Sequence, residues 1–201
     1  MRTDKTPHPD DEAPRWPVPP PQGWTVDDLC TLPDLPSHTQ LIDGSLVFRH
    51  PQNCFHSITT DVLREGLART APAALRVYRQ MVVVLDPANG LEPDVSVLQR
   101  QAVEDWDRMT FPAADVLLAV EVVSPDSLSR DSTTKPQKYA AAGVPHFWLV
   151  EMAGLDDHAV VQVYERGGAS GTYALTGIHR GRLKLSVPYD IDIDLTAIDR
   201  L

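Results

Sequence analysis

Apolar and polar positions change period several times along the chain, and each change predicts an element. Residues 1–22 show no apolar period. Nine of the 18 prolines fall within the first 36 residues, so 1–22 reads as an extended, poorly ordered tail and 23–201 as the folded domain. "GWTVDDLCTL" predicts a short helix, with Thr25 as its cap and Asp28 at the third helical position; Pro33 and Pro36 then stop it. "QLIDGSLVF" (40–48) is two short β-type runs around Asp-Gly, a hairpin signal. In "HSITTDVLREGLART" (56–70) Ile58, Val62, Leu63 and Leu67 recur near the helical repeat. "LRVYRQMVVVL" (75–85) and "PDVSVL" (93–98) return to β-branched alternation around "DPANG", a turn by composition.

"DVLLAVEVV" (115–123) is almost continuously apolar, as in a central strand covered on both faces. Pro136 fits a first helical turn and Gly143 a helix stop, so a helix is expected from about Thr133 to Ala142. "HFWLVE" (146–151) is the next strand. Strand, helix and strand in this succession form a crossover, which makes the two strands parallel and adjacent. "AVVQVYER", "TYALT" and "RLKLSV" read as an antiparallel meander finishing the sheet. The fold class is therefore α/β, a mixed sheet flanked by helices.

Composition narrows the functional classes. A chain of 201 residues suits one core. Its 28 acidic against 18 basic residues give a net charge of −10, which excludes a surface that is basic all over and leaves room only for a local basic groove. Cys30 and Cys54 have no zinc-finger spacing and read as reduced thiols. No stretch approaches the ~18 apolar residues of a membrane span. The expectation is a soluble, cytoplasmic protein with no membrane partner.

Glu121 is the residue that breaks the pattern. Alternation puts Leu117, Ala119, Glu121 and Val123 on one face of the central strand. A lone carboxylate there costs several kcal/mol unless paired, hydrogen-bonded or metal-bound. Asp94, which opens another apolar strand after Pro93, is by itself a turn or cap residue. Together, two acids on neighbouring strands suit one magnesium ion, which takes one or two carboxylates and keeps several waters. Lys135 lies in the expected first helical turn, where the macrodipole disfavours a cation. Either Asp131 pairs with it across one turn, or it points back at the strand end beside Glu121, where it can stabilise charge on a phosphate. Tyr139, one turn later on the same face, is expected to pack over it.

"LIDGSLVF", "HSITTDVL", "LEPDVSVL" and "AVEVVSPDSLSRDSTTKPQKYAAAGVPHFWLVE", in this order, resemble the Uma2 family, a branch of the PD-(D/E)XK nuclease superfamily. The resemblance spans about residues 24–190. It implies a restriction-endonuclease-like core and a magnesium-dependent site, manganese being a substitute, with Asp94, Glu121 and Lys135 as catalytic residues and Asp94 and Glu121 as metal ligands. The superfamily lysine usually lies two residues after the acid, where this chain has Val123; here it has moved to the helix as Lys135. Relatives often carry Glu where this chain has Gln40, whose carbonyl can ligate but brings no charge. His56 matches a family histidine and is either a helix-start residue or an auxiliary site residue. Two readings follow: a magnesium-dependent DNA endonuclease acting as a homodimer, or a nuclease-fold DNA-binding module that has lost turnover. Arg76, Arg79, Arg100, Arg130 and Arg180 are the phosphate contacts the sequence offers.

Overall fold

The computed structural model describes residues 18–103, 105, 107–125, 127–153 and 158–200. Of the expected tail, 1–17 lies outside the described residues. The helix α1 (Val26–Thr31) starts as expected: Thr25 accepts from the Asp28 N–H while the Asp28 carboxylate accepts from the Thr25 N–H, a reciprocal cap. The strands β1 (Gln40–Ile42) and β2 (Ser45–Val47) pair through a two-residue turn. Asp43 and Gly44 both have left-handed φ, 49° and 72°, the backbone that matches the twist of a two-residue hairpin. Asn53 caps the helix α2 (Cys54–Thr70) by accepting from the His56 N–H, so His56 sits at the third position rather than opening the helix.

The run 75–85 is not one strand. It breaks at Gln80, whose φ of 52° turns the chain and whose N–H donates to the Asp94 carbonyl. β3 (Leu75–Arg79) and β4 (Val82–Asp86) consequently enter different sheets. The "DPANG" turn is also shorter than expected, because Asn89 and Gly90 begin a further strand, β5 (Asn89–Leu91). The chain continues through β6 (Val95–Gln99), β7 (Thr110–Pro112) and β8 (Val116–Val122). Beyond β8 a π-helical turn (Arg130–Thr134) leads into the helix α3 (Lys135–Ala141). Then come β9 (His146–Ala153), β10 (His158–Arg166), β11 (Tyr173–Arg180), β12 (Arg182–Leu185) and β13 (Ile191–Asp194).

Six strands form the main sheet in the order β11-β10-β9-β8-β6-β3, and five form a second, β2-β1-β5-β4-β7. The central strand β8 runs parallel to β9 and antiparallel to β6, so the expected crossover is present. β10 and β11 extend the main sheet, as the meander required. β12 does not; it pairs with β13 as a separate ribbon. The reason is its apolar face: Leu183, Ile191 and Ile193 join Leu63 and Leu67 of α2 in one core, so the ribbon stabilises more by covering the helix than by lengthening the sheet. Gly66 permits this approach, since a Cβ there would lie 2.6 Å from Ile193 Cγ1.

The opposite face of the sheet packs Ala119, Phe147 and Leu149 against Tyr139 of α3 and against Val83, Leu91 and Phe111 of the second sheet. Ala119 and Glu121 share that face. The unusual carboxylate thus lies at the seam between main sheet, second sheet and α3.

Candidate active site

Register places the two acids together. Val95 pairs with Val120 across the antiparallel β6–β8 ladder, so Asp94, one residue back, stands opposite Glu121, one residue on. Directly opposed residues project from the same face. Both side chains are fully buried.

Glu121 is held by α3. Lys135 Nζ donates to Oε2 at 2.7 Å, and the Tyr139 hydroxyl donates to Oε1 at 2.8 Å. Tyr139 therefore binds the carboxylate itself instead of only packing over the lysine. Asp131 Oδ1 lies 2.9 Å from Lys135 Nζ, so the lysine pairs with Asp131 across one turn and also points back to Glu121. Lys135 does not occupy a first turn. Helical backbone already runs through the preceding π-turn, where the Lys135 N–H donates five residues back to the Arg130 carbonyl. Pro136, with no N–H to give, follows this opened ladder. The macrodipole objection to a cation at 135 falls away, because the helix N-terminus is further upstream.

Asp94 is held from the other side. Arg49 Nη2 donates to Oδ1 at 2.6 Å, His56 Nε2 is 3.0 Å from the same oxygen, and the Val122 N–H donates to Oδ2 at 2.7 Å. Arg49 Nη2 is also 3.2 Å from His56 Nε2. A guanidinium only donates, so the hydrogen on Nε2 is assigned to the bond with Asp94. Gln40 is buried nearby, its Oε1 accepting the Glu92 N–H at 3.1 Å. The Glu92 carboxylate lies 2.6 Å from His38 Nδ1 and 3.9 Å from Arg49 Nη1.

All six residues singled out from sequence thus lie in two adjoining clusters, Lys135 and Tyr139 around Glu121, and His56 and Gln40 on the side of Asp94. Arg49, Glu92 and His38 were missed. Glu92 had a signal, since a spacing of two puts it on the same face as Asp94 in extended chain; Arg49 and His38 had none that a linear reading could separate from ordinary loop residues. Of the arginines suggested as phosphate contacts, Arg76 bonds main-chain carbonyls of Ala73 and Leu75, and Arg79 pairs with Asp61, so neither belongs to these clusters.

Charge is unbalanced here. Glu92, Asp94, Glu121 and Asp131 are four acids no more than 4% exposed, facing two fixed cations, Arg49 and Lys135. Burial pushes the Glu121 carboxyl up to about 8, against the pull of Lys135 and with the help of the charges on Asp131 and Asp94. Burial would raise Asp94 as well, but the hydrogen bond from His56 and the charges of Arg49, His56 and Lys135 outweigh it and hold the carboxyl below the usual aspartate range. Burial opposes the charge on Lys135, but Glu121, Asp131 and Asp94 reverse this and keep it cationic. Glu92 is raised, burial outweighing His38 and Arg49.

Among the described residues no three His, Cys, Asp or Glu side chains form a ready cage for a cation. Magnesium does not need one: two carboxylates plus water meet its preference, and the four buried acids outnumber the two fixed cations. The donor set fits.

The Uma2 family profile, described as "Putative restriction endonuclease", matches residues 26–197. The chain belongs to the Uma2 family. Its fold is shared with a solved structure from Anabaena variabilis ATCC 29413 described as "a putative nuclease belonging to DUF820", at 17% identity over 88% of this chain and 92% of that one, with a TM-score of 0.60. The apo form of NucC from E. coli MS115-1 is a more distant likeness, at 13% identity over 63% of this chain and 82% of that one, with a TM-score of 0.34. No curated protein matches. Uma2 membership agrees with a restriction-endonuclease-like α/β core, and none of the described helices is long and apolar enough to cross a membrane.

Proposed function

We propose that this Uma2 protein is a magnesium-dependent endonuclease that hydrolyses phosphodiester bonds in DNA, with Asp94 and Glu121 as metal ligands and Lys135 as the cationic catalytic residue. The observation that carries the reading is the facing of Asp94 and Glu121 across β6 and β8 with Lys135 Nζ 2.7 Å from Glu121. A bound magnesium would polarise a phosphate oxygen and make a water more acidic. Lys135, kept charged by its three acidic neighbours, stabilises the negative charge that builds on the phosphate as water adds. Tyr139 and Asp131 fix the position of Glu121 and Lys135 so that little reorganisation is needed at that moment. His56 and Gln40 act as auxiliaries by fixing Asp94 and the Glu92 backbone. A homodimer, giving one site per DNA strand, belongs to the same proposal.

The test is plasmid nicking in magnesium or manganese by the wild type, Glu121→Ala and Lys135→Ala. The wild type should nick only with the cation, and each variant should lose at least a hundredfold, the scale of losing one transition-state charge stabiliser. Equal rates in all three would end the proposal. The alternative, a DNA-binding module without turnover, is favoured by the complete burial of both carboxylates and the neutral Gln40. Cation binding without cleavage by the wild type would select it.

A further inference from the structure

Arg49 is the residue whose position the proposed chemistry does not explain. It lies between β2 and α2, and its side chain is 14% exposed over the fully buried Asp94. Its Nη2 shares Asp94 Oδ1 with His56 Nε2, while the Val122 N–H occupies Oδ2. Its Nη1 is buried and, among the described residues, donates to no acceptor. That is a costly arrangement, because a buried donor without an acceptor has given up its hydrogen bond to water and gained none in return. An acceptor is close by: Glu92 Oε1, 3.9 Å from Nη1, in a side chain only 6% exposed. The guanidinium therefore stands between two buried carboxylates, bonded to one and just short of the other.

We propose that Arg49 is a positioning residue that competes with the divalent cation for Asp94 and passes to Glu92 when the cation binds. The inference rests on Asp94 being a metal ligand, as in the proposed function. A cation at Asp94 Oδ1 meets a guanidinium 2.6 Å away, and both their like charge and the crowding of an oxygen that His56 also contacts oppose it. Moving Arg49 toward Glu92 removes the guanidinium from Asp94 Oδ1, leaving His56 Nε2 on that oxygen, gives Nη1 an acceptor and keeps the guanidinium's charge compensated. The Gln40 carbonyl, by accepting the Glu92 N–H, fixes the backbone of the receiving residue. This gives the neutral Gln40 a role that needs no charge.

The measurement is Mn2+ affinity by titration calorimetry or by the free-ion EPR signal, on the full chain without DNA. Arg49→Gln should bind Mn2+ roughly tenfold tighter than wild type, the worth of one charge-assisted hydrogen bond no longer opposed. Arg49→Lys, which keeps the charge but loses the fork, should fall between them. Glu92→Gln should weaken binding in the wild-type background and have little effect in Arg49→Gln, since the receiving site matters only when there is an arginine to receive. Equal or weaker Mn2+ binding by Arg49→Gln overturns the proposal, as does an equal Glu92→Gln effect in both backgrounds. Failure of both arginine variants to fold in millimolar Mn2+ would mark Arg49 as structural and overturn it too. Absence of Mn2+ binding by every form, wild type included, would instead sink the metal reading itself.

Discussion

At the scale of the residue, Glu121 shows how a site can be built at the expense of stability. A carboxylic acid raised to about 8 by burial, with Lys135 pulling the other way, binds its proton more tightly folded than unfolded. The sign follows from linkage: the benefit is fully present below the unfolded value, near 4.3, and is lost as pH rises through the folded one. The metal-free protein should therefore lose stability between about pH 4.5 and 8, by up to ~1.4 kcal/mol per pH unit from this group. Glu121→Gln, which cannot ionise, removes that slope. Urea unfolding of both forms at several pH values should show the difference moving in favour of the variant as pH rises. Parallel profiles would mean that Glu121 is already ionised in the fold. The neighbouring Asp94 has the opposite sign: its lowered carboxyl contributes stability above about pH 3.8 that is lost as pH falls toward 2.

At the scale of the element, local signals were legible and distant ones were not. The Asp43-Gly44 turn and the Thr25–Asp28 cap depend on residues a few positions apart and formed as the pattern implied; the β8–α3–β9 crossover was legible from the order of its elements. The break at Gln80 had no such mark, because its left-handed backbone is fixed by a bond to the Asp94 carbonyl, fourteen residues on. Sequence distance also hid Arg49 and His38. Arg49 meets Asp94 across 45 positions and His38 meets Glu92 across 54, separations at which no periodicity operates. Glu121 was visible only because a charge in a covered strand violates a strong rule. The departure of β12 from the sheet is likewise tertiary, set by α2, and it can be tested. Gly66→Ala should gain about 1 kcal/mol of helix propensity yet lose more, about 1–3 kcal/mol, by crowding Ile193. Thermal unfolding should show a net loss for Gly66→Ala, and Ile193→Ala should cost less in that background than in the wild type. Strict additivity would show that ribbon and helix are not in contact through this pair.

At the scale of the whole molecule, the same excess of buried negative charge couples the site to global stability. Asp94 lies one residue before β6, Glu121 in the central β8, Lys135 and Tyr139 in α3, and Arg49 in the segment entering α2, so two adjoining clusters tie together the parts that enclose the core. A cation that binds only the folded arrangement must stabilise all of them by mass action. At a free concentration a hundred times its dissociation constant the gain is ~2.7 kcal/mol, and for a chain of this size each kcal/mol moves the melting temperature by about 2–4 °C. Magnesium or manganese should therefore raise the melting temperature of the wild type by roughly 5–10 °C at that excess. Sodium chloride at matched ionic strength should not, because screening acts on exposed charges and these are buried. Glu121→Gln should abolish most of the shift while still melting cooperatively, since Asp131 remains to pair with Lys135. An equal shift in wild type and variant would place the cation elsewhere, on the acidic surface that the net charge of −10 provides.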